Sequence, residues 1–311
     1  MPDGPPPDRV SSRLGRGSGG LGLLLTALLV FARAPGPALA EEARLVLRLA
    51  PERVKQGGVA VLTTESSTPI RALRVLVGER QILAASPEGQ TPHPVLIGID
   101  LEQPPGTVRV HAEAVNGSGQ TLRGFAPLLI LDARFPIQRL TVSRPFVELD
   151  AASLERVNRE KAALDHLWET LTPERLWRGP FRIPLEGAGP GVGFGDRRII
   201  NGEPRSPHTG TDYSAPPGAP VLAANAGRVA LVADHFFAGT SVFLDHGLGL
   251  YTMYFHLQES LVQAGQRVER GQAIARVGSS GRATGPHLHW GARLQGARID
   301  PRELLQPLPV D

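Results

Sequence analysis

The sequence contains no cysteine among its 311 residues. This absence excludes disulfide bonds, thiolate zinc sites, iron–sulfur clusters, cysteine nucleophiles and a lipid anchor on cysteine. An excess of charge is also missing, since 33 basic and 30 acidic residues leave a formal net charge of +3. Because no basic run is clustered, the sequence gives no electrostatic indication of nucleic-acid binding.

Long apolar runs are absent as well. The apolar stretch at residues 21–32 is about 12 residues long, whereas a membrane-spanning helix needs roughly 18 or more. Three arginines precede it: Arg9, Arg13 and Arg16. Ala-Leu-Ala follows at 38–40 as an A-x-A cleavage signal, which predicts a signal peptide at residues 1–40. The alternative is an uncleaved anchor, because Arg33 is atypical of a cleavage region. We expect an exported chain, periplasmic or associated with the cell envelope, without a membrane span once mature.

The composition favours short strands over long helices, since 36 glycines and 29 prolines make the chain dense in turns. At roughly 150 residues per domain, the length predicts two domains. Between residues 41 and 133 apolar and polar positions alternate, as in Leu45, Leu47 and Leu49 around Arg48. Turn signals separate about seven such strands, which predicts an Ig-like β-sandwich as an accessory domain.

The spacing of apolar residues becomes helical at residues 150–171. The repeating positions are Leu154, Val157, Leu164, Leu167, Trp168 and Leu171. Asp150 is placed to act as the N-cap, and Pro173 prevents continuation. We therefore predict a linker at 134–178 with an amphipathic helix, followed by a second β domain at 179–311.

His208 and Asp212 form the first motif with chemical potential. In an extended chain residues 208, 210 and 212 point to one face, and Gly210 adds no bulk between the other two. An imidazole nitrogen and a carboxylate oxygen are ligands that zinc accepts. Taken alone, this segment is more often structural than metal-binding.

His287 and His289 form the second motif. On a strand they share one face, whereas Leu288 and Trp290 occupy the other face and fit a core. Two adjacent imidazoles are unfavourable if charged, and a metal resolves this by requiring neutral ligands. A solvent-facing histidine pair is the alternative.

The third segment, residues 251–257, also alternates as a strand. Its bulky side chains are predicted to face inward: Tyr251, Met253, Phe255 and Leu257. His256 then lies on the opposite, polar face with Thr252 and Tyr254, where it can act on something outside the core. By itself it could equally be an ordinary exposed residue.

Together these segments supply four histidines and an aspartate on polar strand faces. A catalytic zinc takes three protein ligands and leaves a position for water, whose pKa falls from about 15.7 to roughly 7. Two histidines would remain for proton transfer or oxyanion stabilisation. The spacing does not decide which three residues bind.

Several separated motifs follow one another in order: His208-x-x-x-Asp212, Asp245-His246-Gly247, Tyr254-Phe255-His256-Leu257, Gly278-Ser279-Ser280-Gly281 and Gly285-Pro286-His287-Leu288-His289. In order and spacing they resemble the lysostaphin/LytM-type zinc metallopeptidases over about residues 190–305. The resemblance implies an antiparallel β-sheet metallopeptidase domain with an open groove, which makes the whole chain mainly β. It also implies hydrolysis of peptide bonds in peptidoglycan, in stem-peptide cross-links or glycine-rich bridges.

The resemblance further implies a role for each residue. His208, Asp212 and His289 correspond to the zinc ligands, and His256 and His287 to the residues that polarise water and stabilise the tetrahedral intermediate. We expect His287 as the base and His256 as the stabiliser. Because an H-E-x-x-H motif is absent, the alternative base is the metal-activated water itself.

Two other interpretations stay open at the level of sequence. The protein could be a non-catalytic cell-wall binding protein or an activator of another wall hydrolase, although all five positions are intact. Alternatively, the region at 41–178 could cover the groove until it is removed. We expect a monomer whose partner is a peptidoglycan peptide.

Overall fold

The computed structural model describes residues 44–84, 94–143 and 146–308. All of them fall within the unit Glu42–Asp311. The predicted signal peptide at 1–40 lies outside the described residues, and its removal stays a prediction. Within the described ranges, no helix combines the length and the apolar character that crossing a membrane requires.

Short strands make up the first part of the chain. Their bounds are β1 (Leu45–Ala50), β2 (Arg53–Lys55), β3 (Val59–Ser66), β4 (Ile70–Val77), β5 (Arg80–Leu83), β6 (Val95–Gly98), β7 (Gly106–Asn116) and β8 (Thr121–Leu131). One sheet has the order β1-β3-β6, and a second has the order β2-β8-β7-β4-β5. Apolar side chains of both sheets, among them Leu62 and Leu128, share one core. An Ig-like topology for this region stays a prediction.

The segment after β8 contains a short strand and a helix. Strand β9 covers Ile137–Leu140 and helix α1 covers Ala151–Glu169. The carboxylate of Asp150 accepts the Ser153 N–H at 2.7 Å, which caps the first turn of the helix. The helix has no fully buried residue, and its role as a linker stays a prediction, as do the predicted domain boundaries.

The remaining strands form the larger sheet system. Their bounds are β10 (Arg197–Ile200), β11 (Glu203–Pro204), β12 (Gly210–Ser214), β13 (Pro220–Leu222), β14 (Gly227–His235), β15 (Gly239–Asp245), β16 (Leu250–Ser260), β17 (Arg267–Val268), β18 (Ala273–Val277), β19 (His287–Leu294) and β20 (Ala297–Ile299). Nine of them form one sheet, whose main path runs β12-β19-β16-β15-β14-β17. Strand β10 lies in a separate sheet, where it pairs in parallel with β9. The mainly β prediction is confirmed.

The two faces of β16 are the reverse of those predicted as far as Phe255, whereas Leu257 lies in the core as predicted. Tyr254 is fully buried in the core, and its partner on β19 is Trp290, which is also fully buried. Phe255 pairs with His289 on the opposite face, where the two rings stack at 5.2 Å. The expectation that Phe255 points into the core was therefore wrong, because the register with β19 places the polar-tipped Tyr254 there instead. The prediction for Leu288 and Trp290 is confirmed, since both are fully buried.

Candidate metal centre and catalytic cleft

His208, Asp212 and His289 converge on one point, as expected for the predicted ligand set. Asp212 lies on β12 directly opposite His289 on β19, and His208 immediately precedes β12. His208 Nε2 lies 2.8 Å from His289 Nδ1 and 3.0 Å from Asp212 Oδ1. His289 Nδ1 lies 2.9 Å from the same carboxylate oxygen. The three atoms therefore form a compact triangle of two nitrogens and one oxygen.

A backbone carbonyl fixes the tautomer of His208. Its Nδ1 lies 2.9 Å from the carbonyl oxygen of Gly193, and because a carbonyl only accepts, Nδ1 carries the proton. In the neutral ring, Nε2 then presents a lone pair to Asp212. Second-shell carbonyls of this kind orient metal-ligating histidines.

The chemistry of the three atoms fits a divalent cation. A neutral His208 places a nitrogen lone pair 3.0 Å from the acceptor oxygen of Asp212, and two acceptors at this distance require a cation or a proton between them. Two imidazoles and a carboxylate match the ligands of catalytic zinc sites, which hold three protein ligands and leave a further position open.

Two glycines make room for the ligand rings. A Cβ on Gly210 would lie 2.4 Å from His289 Nε2 and 2.7 Å from the carbonyl oxygen of Trp290. A Cβ on Gly193 would lie 2.7 Å from His208 Nδ1, and Gly193 also has a φ of +93°. A larger residue at Gly210 would displace His289, so the small size of this residue matters for the ligand set.

Burial and mutual contacts set the protonation states of Asp212 and His289. Burial alone would raise the pKa of Asp212, but its contacts with His208 and His289 outweigh burial and hold this pKa far below its usual range. Burial lowers the pKa of His289 to about 4. At neutral pH the carboxylate is therefore ionised and the His289 ring is neutral, which is the state that metal binding requires.

His256 reaches the same cleft through an irregularity in β16. Its φ is +60°, a left-handed conformation that is uncommon for residues other than glycine. The pairing of β16 shifts register on both sides, with β15 between Thr240 and Val242 and with β18 beyond Leu257. A bulge of this kind redirects a side chain, and it lets His256 line the cleft while Leu257 stays in the core.

His256 is held in one tautomer and stays neutral. Its Nδ1–H donates to the carbonyl oxygen of Ser280 at 2.8 Å, so the other ring nitrogen presents a lone pair. Burial, followed by the proximity of His289, lowers the pKa of His256 to about 3. At neutral pH His256 is therefore a neutral ring that can accept a hydrogen bond.

His287 lies beside His256, with ring centroids 4.7 Å apart. Its Nδ1–H donates to the carbonyl oxygen of Gly285 at 2.8 Å, and its Nε2 lies 3.9 Å from Asp212 Oδ2. The structure thus brings all five residues predicted from the sequence to one place.

A cleft of about 770 Å³ contains these residues. One of its walls comes from the segment between β9 and α1, including Gln138, Leu140, Val142 and Phe146. The sequence predicted a linking role for residues 134–178 or, with the rest of 41–178, a removable cover over the groove, and a contribution to the cleft wall was missed. The signal available was the alternation of residues around β9.

His246 lies outside the cleft, and its contacts are those of a structural residue. It is fully buried, donates from Nδ1 to the carbonyl oxygen of Ala226 at 2.7 Å, and contacts Thr252 Oγ1 at 2.7 Å through Nε2. Burial lowers the pKa of His246 to about 4. It therefore serves as a neutral hydrogen-bonded core residue.

Comparison with protein families agrees with the site. Residues 206–301 match the model described as Peptidase family M23. Peptidoglycan DD-endopeptidase ShyC of Vibrio cholerae serotype O1 is 39% identical over 128 residues, which are 40% of this chain and 29% of that protein. DD-carboxypeptidase/endopeptidase Mpg of Neisseria meningitidis serogroup B is 41% identical over 102 residues, 33% of this chain and 24% of that protein. The matched segments thus span less than a third of each curated relative.

A solved structure resembles more of the chain. A crystal structure from Pseudomonas aeruginosa, assigned to peptidase M23, matches with a TM-score of 0.59 and 27% sequence identity. The match covers 80% of this chain and 94% of that one. The similarity therefore extends beyond the segment that the family model matches.

Proposed function

Because this chain carries a metallopeptidase domain of family M23 at residues 206–301, we propose that it is an exported zinc metalloendopeptidase that cleaves peptide cross-links in peptidoglycan. The observation that carries the proposal is the convergence of His208, Asp212 and His289 inside a cleft that also holds His256 and His287. The names of its relatives, which include peptidoglycan endopeptidases, support the substrate class.

In this proposal His208, Asp212 and His289 hold zinc. When bound, zinc supplies a Lewis acid that polarises the scissile carbonyl and acidifies a water molecule. Asp212 contributes the negative charge that offsets the cation, and the Gly193 carbonyl keeps the coordinating nitrogen of His208 unprotonated.

The surroundings of the two histidines favour a division of roles opposite to that expected from the sequence, because both hold the same tautomer but His287 Nε2 lies 3.9 Å from Asp212 Oδ2. Neutral His256 has a free lone pair on Nε2, which suits it to accept a hydrogen bond from the attacking water and orient it. His287 donates from Nδ1 to a carbonyl, so it can donate from Nε2 only when it is charged. A charged His287 beside Asp212 would stabilise the developing oxyanion.

Digestion of isolated peptidoglycan sacculi tests the proposal. Purified protein should release soluble fragments, lose this activity with a chelator and recover it with zinc. Mass spectrometry of the new amine and carboxyl ends would identify the cleaved bond. No release by a folded, zinc-loaded sample would exclude the enzyme.

The rival function is a wall-binding protein or an activator of another hydrolase. His256→Ala separates the two, since it removes a proposed catalytic group but leaves the three proposed ligands. An activator should keep its effect in cells with this substitution, whereas a peptidase should lose nearly all of it.

A further inference from the structure

Three arginines line the cleft near the five-residue site: Arg198, Arg205 and Arg282. None of them forms an ion pair with a carboxylate among the residues the structure describes. Several other half-buried arginines are paired, as Arg298 is with Asp100 through Nη2 and Oδ1 at 2.6 Å. Arg198 and Arg282 are half-buried, whereas Arg205 is exposed, and half-buried cations without an ion pair in a cleft call for an explanation.

Arg198 is placed by the strand pair that forms the cleft wall. It lies on β10 opposite Gln138 on β9. Its Nε is buried and lacks a hydrogen-bond partner among the described residues, as does Oε1 of Gln138. A buried guanidinium N–H without an acceptor costs free energy, which an anionic ligand would recover.

Arg282 is held from the other side of the cleft. Its guanidinium lies 4.5 Å from the ring centroid of Phe237, and its backbone N–H donates to the Phe237 carbonyl at 2.9 Å. Stacking on the ring fixes the plane of the guanidinium while leaving the edge of the group available.

The charges around the cluster also favour an anion. Burial, and then the proximity of Arg198 and Arg205, lowers the pKa of Arg282. Burial lowers the pKa of Arg198 as well, opposed by the charges of Asp212 and Asp196. Asp212 belongs to the proposed ligand set, so its charge is shared with the metal when one is bound.

We propose that Arg282, with Arg198 and Arg205, binds a carboxylate of the peptide substrate and so sets its position relative to the scissile bond. Arginine matches a carboxylate with two parallel hydrogen bonds, which gives direction as well as affinity. The assignment rests on the proposed function for its choice of a peptide, because the cluster shares one cleft with the metal triad.

Binding of two matched peptides tests the proposal without any turnover. One synthetic tetrapeptide ends in a D-alanine carboxylate, and the other is the same tetrapeptide ending in a carboxamide. Calorimetric titration into zinc-loaded His256→Ala should show binding of the carboxylate roughly 10- to 100-fold tighter, as expected for a charge-assisted pair. Adding Arg282→Gln should bring the ratio of the affinities for the two peptides to about 1. Adding Arg123→Gln instead, which changes an exposed arginine outside the cleft, should leave this ratio unchanged.

Several outcomes would overturn the assignment. These are equal affinity for the two peptides in the parent, absence of binding by either, and a ratio that survives Arg282→Gln. If Arg282→Gln does not fold, Arg205→Gln at an exposed position serves instead and should lower the ratio. Inorganic phosphate that binds the parent as tightly as the carboxylate peptide would mark a general anion site and also contradict the proposal.

The two proposals fail separately. A carboxylate preference in binding together with no release from sacculi would reject the peptidase function and leave the arginine site standing. Release from sacculi without any carboxylate preference would reject the arginine site and leave the peptidase function standing.

Discussion

Asp212 Oδ1 lies 2.9 Å from His289 Nδ1, although 77 positions separate the two residues. They are direct cross-strand partners on β12 and β19. The backbone register of two strands therefore sets the spacing of the proposed metal ligands, and their side chains need little further adjustment. Changes that keep this register but alter one ligand should act on metal binding more than on folding.

Replacement of Asp212 should abolish metal retention. Asp212→Asn keeps the shape of the side chain but removes the charge, so we expect loss of bound zinc and of activity. Elemental analysis of the dialysed protein measures this directly. Asp165→Asn, at an exposed site on α1, is the matched control. Full zinc occupancy in Asp212→Asn would contradict the proposed ligand set.

Gly210→Ala should weaken metal binding through steric displacement. The added Cβ would meet His289 Nε2 at 2.4 Å and the rigid backbone oxygen of Trp290 at 2.7 Å. We expect zinc affinity to fall about 10-fold or more, since changes to residues that orient a metal ligand have effects of this order. Competition with a chromogenic chelator gives the affinity. Gly189→Ala, which meets nothing within 4 Å, should bind zinc like the parent.

His256→Ala should separate metal binding from catalysis. The side chain supplies none of the three proposed ligand atoms, although its ring centroid lies 6.0 Å from that of His289, so zinc content should stay at the parental value. The rate constant kcat should fall by about 10²- to 10⁴-fold, the range for loss of a general acid–base group. His166→Ala, at an exposed position on α1, should leave both quantities unchanged. Parental turnover by His256→Ala would remove it from the mechanism.

Burial of His246 should make the free energy of unfolding depend on pH. Burial lowers its pKa from the ordinary 6.5 to about 4, so the unfolded chain takes up a proton at a higher pH than the folded one. The stabilisation that comes from keeping His246 neutral is complete above about pH 6.5 and is lost as the pH falls toward 4. It amounts to on the order of 3 kcal/mol.

Urea denaturation at pH 7 and pH 4.5 measures this effect. The parent should lose more free energy of unfolding between the two pH values than His246→Gln does, because only the parent carries this group. Equal losses in the two proteins would show that His246 does not control the acid sensitivity.

The sequence predicted which five residues meet in the cleft, because strand alternation and motif order are local signals. His287 and His289 share a face, and Leu288 and Trp290 fill the core, as a period of two predicts. The same rule failed on β16, where a positive φ at His256 breaks the alternation. A single left-handed residue reverses the expected face of its neighbours, and no composition signal marks it.

The cleft wall could not be predicted for a different reason. Arg198 and Gln138 are brought together by a parallel pair between strands about 60 residues apart. Such pairing depends on long-range packing, and the sequence pattern of either segment does not reveal its partner strand. The arginine cluster was also missed, because its members are dispersed along the chain and look like ordinary surface residues.

The pairing of β9 with β10 has a consequence for how fragments of this protein behave. A fragment that starts at residue 206, where the family match begins, keeps every proposed ligand and both proposed catalytic histidines but lacks β9 and β10. The cleft of the fragment would lack the wall formed by these strands. Cleavage preferences measured on the fragment would therefore differ from those of the full chain. Exchanging β9 between relatives is accordingly a way to change substrate selectivity while the five-residue site stays the same.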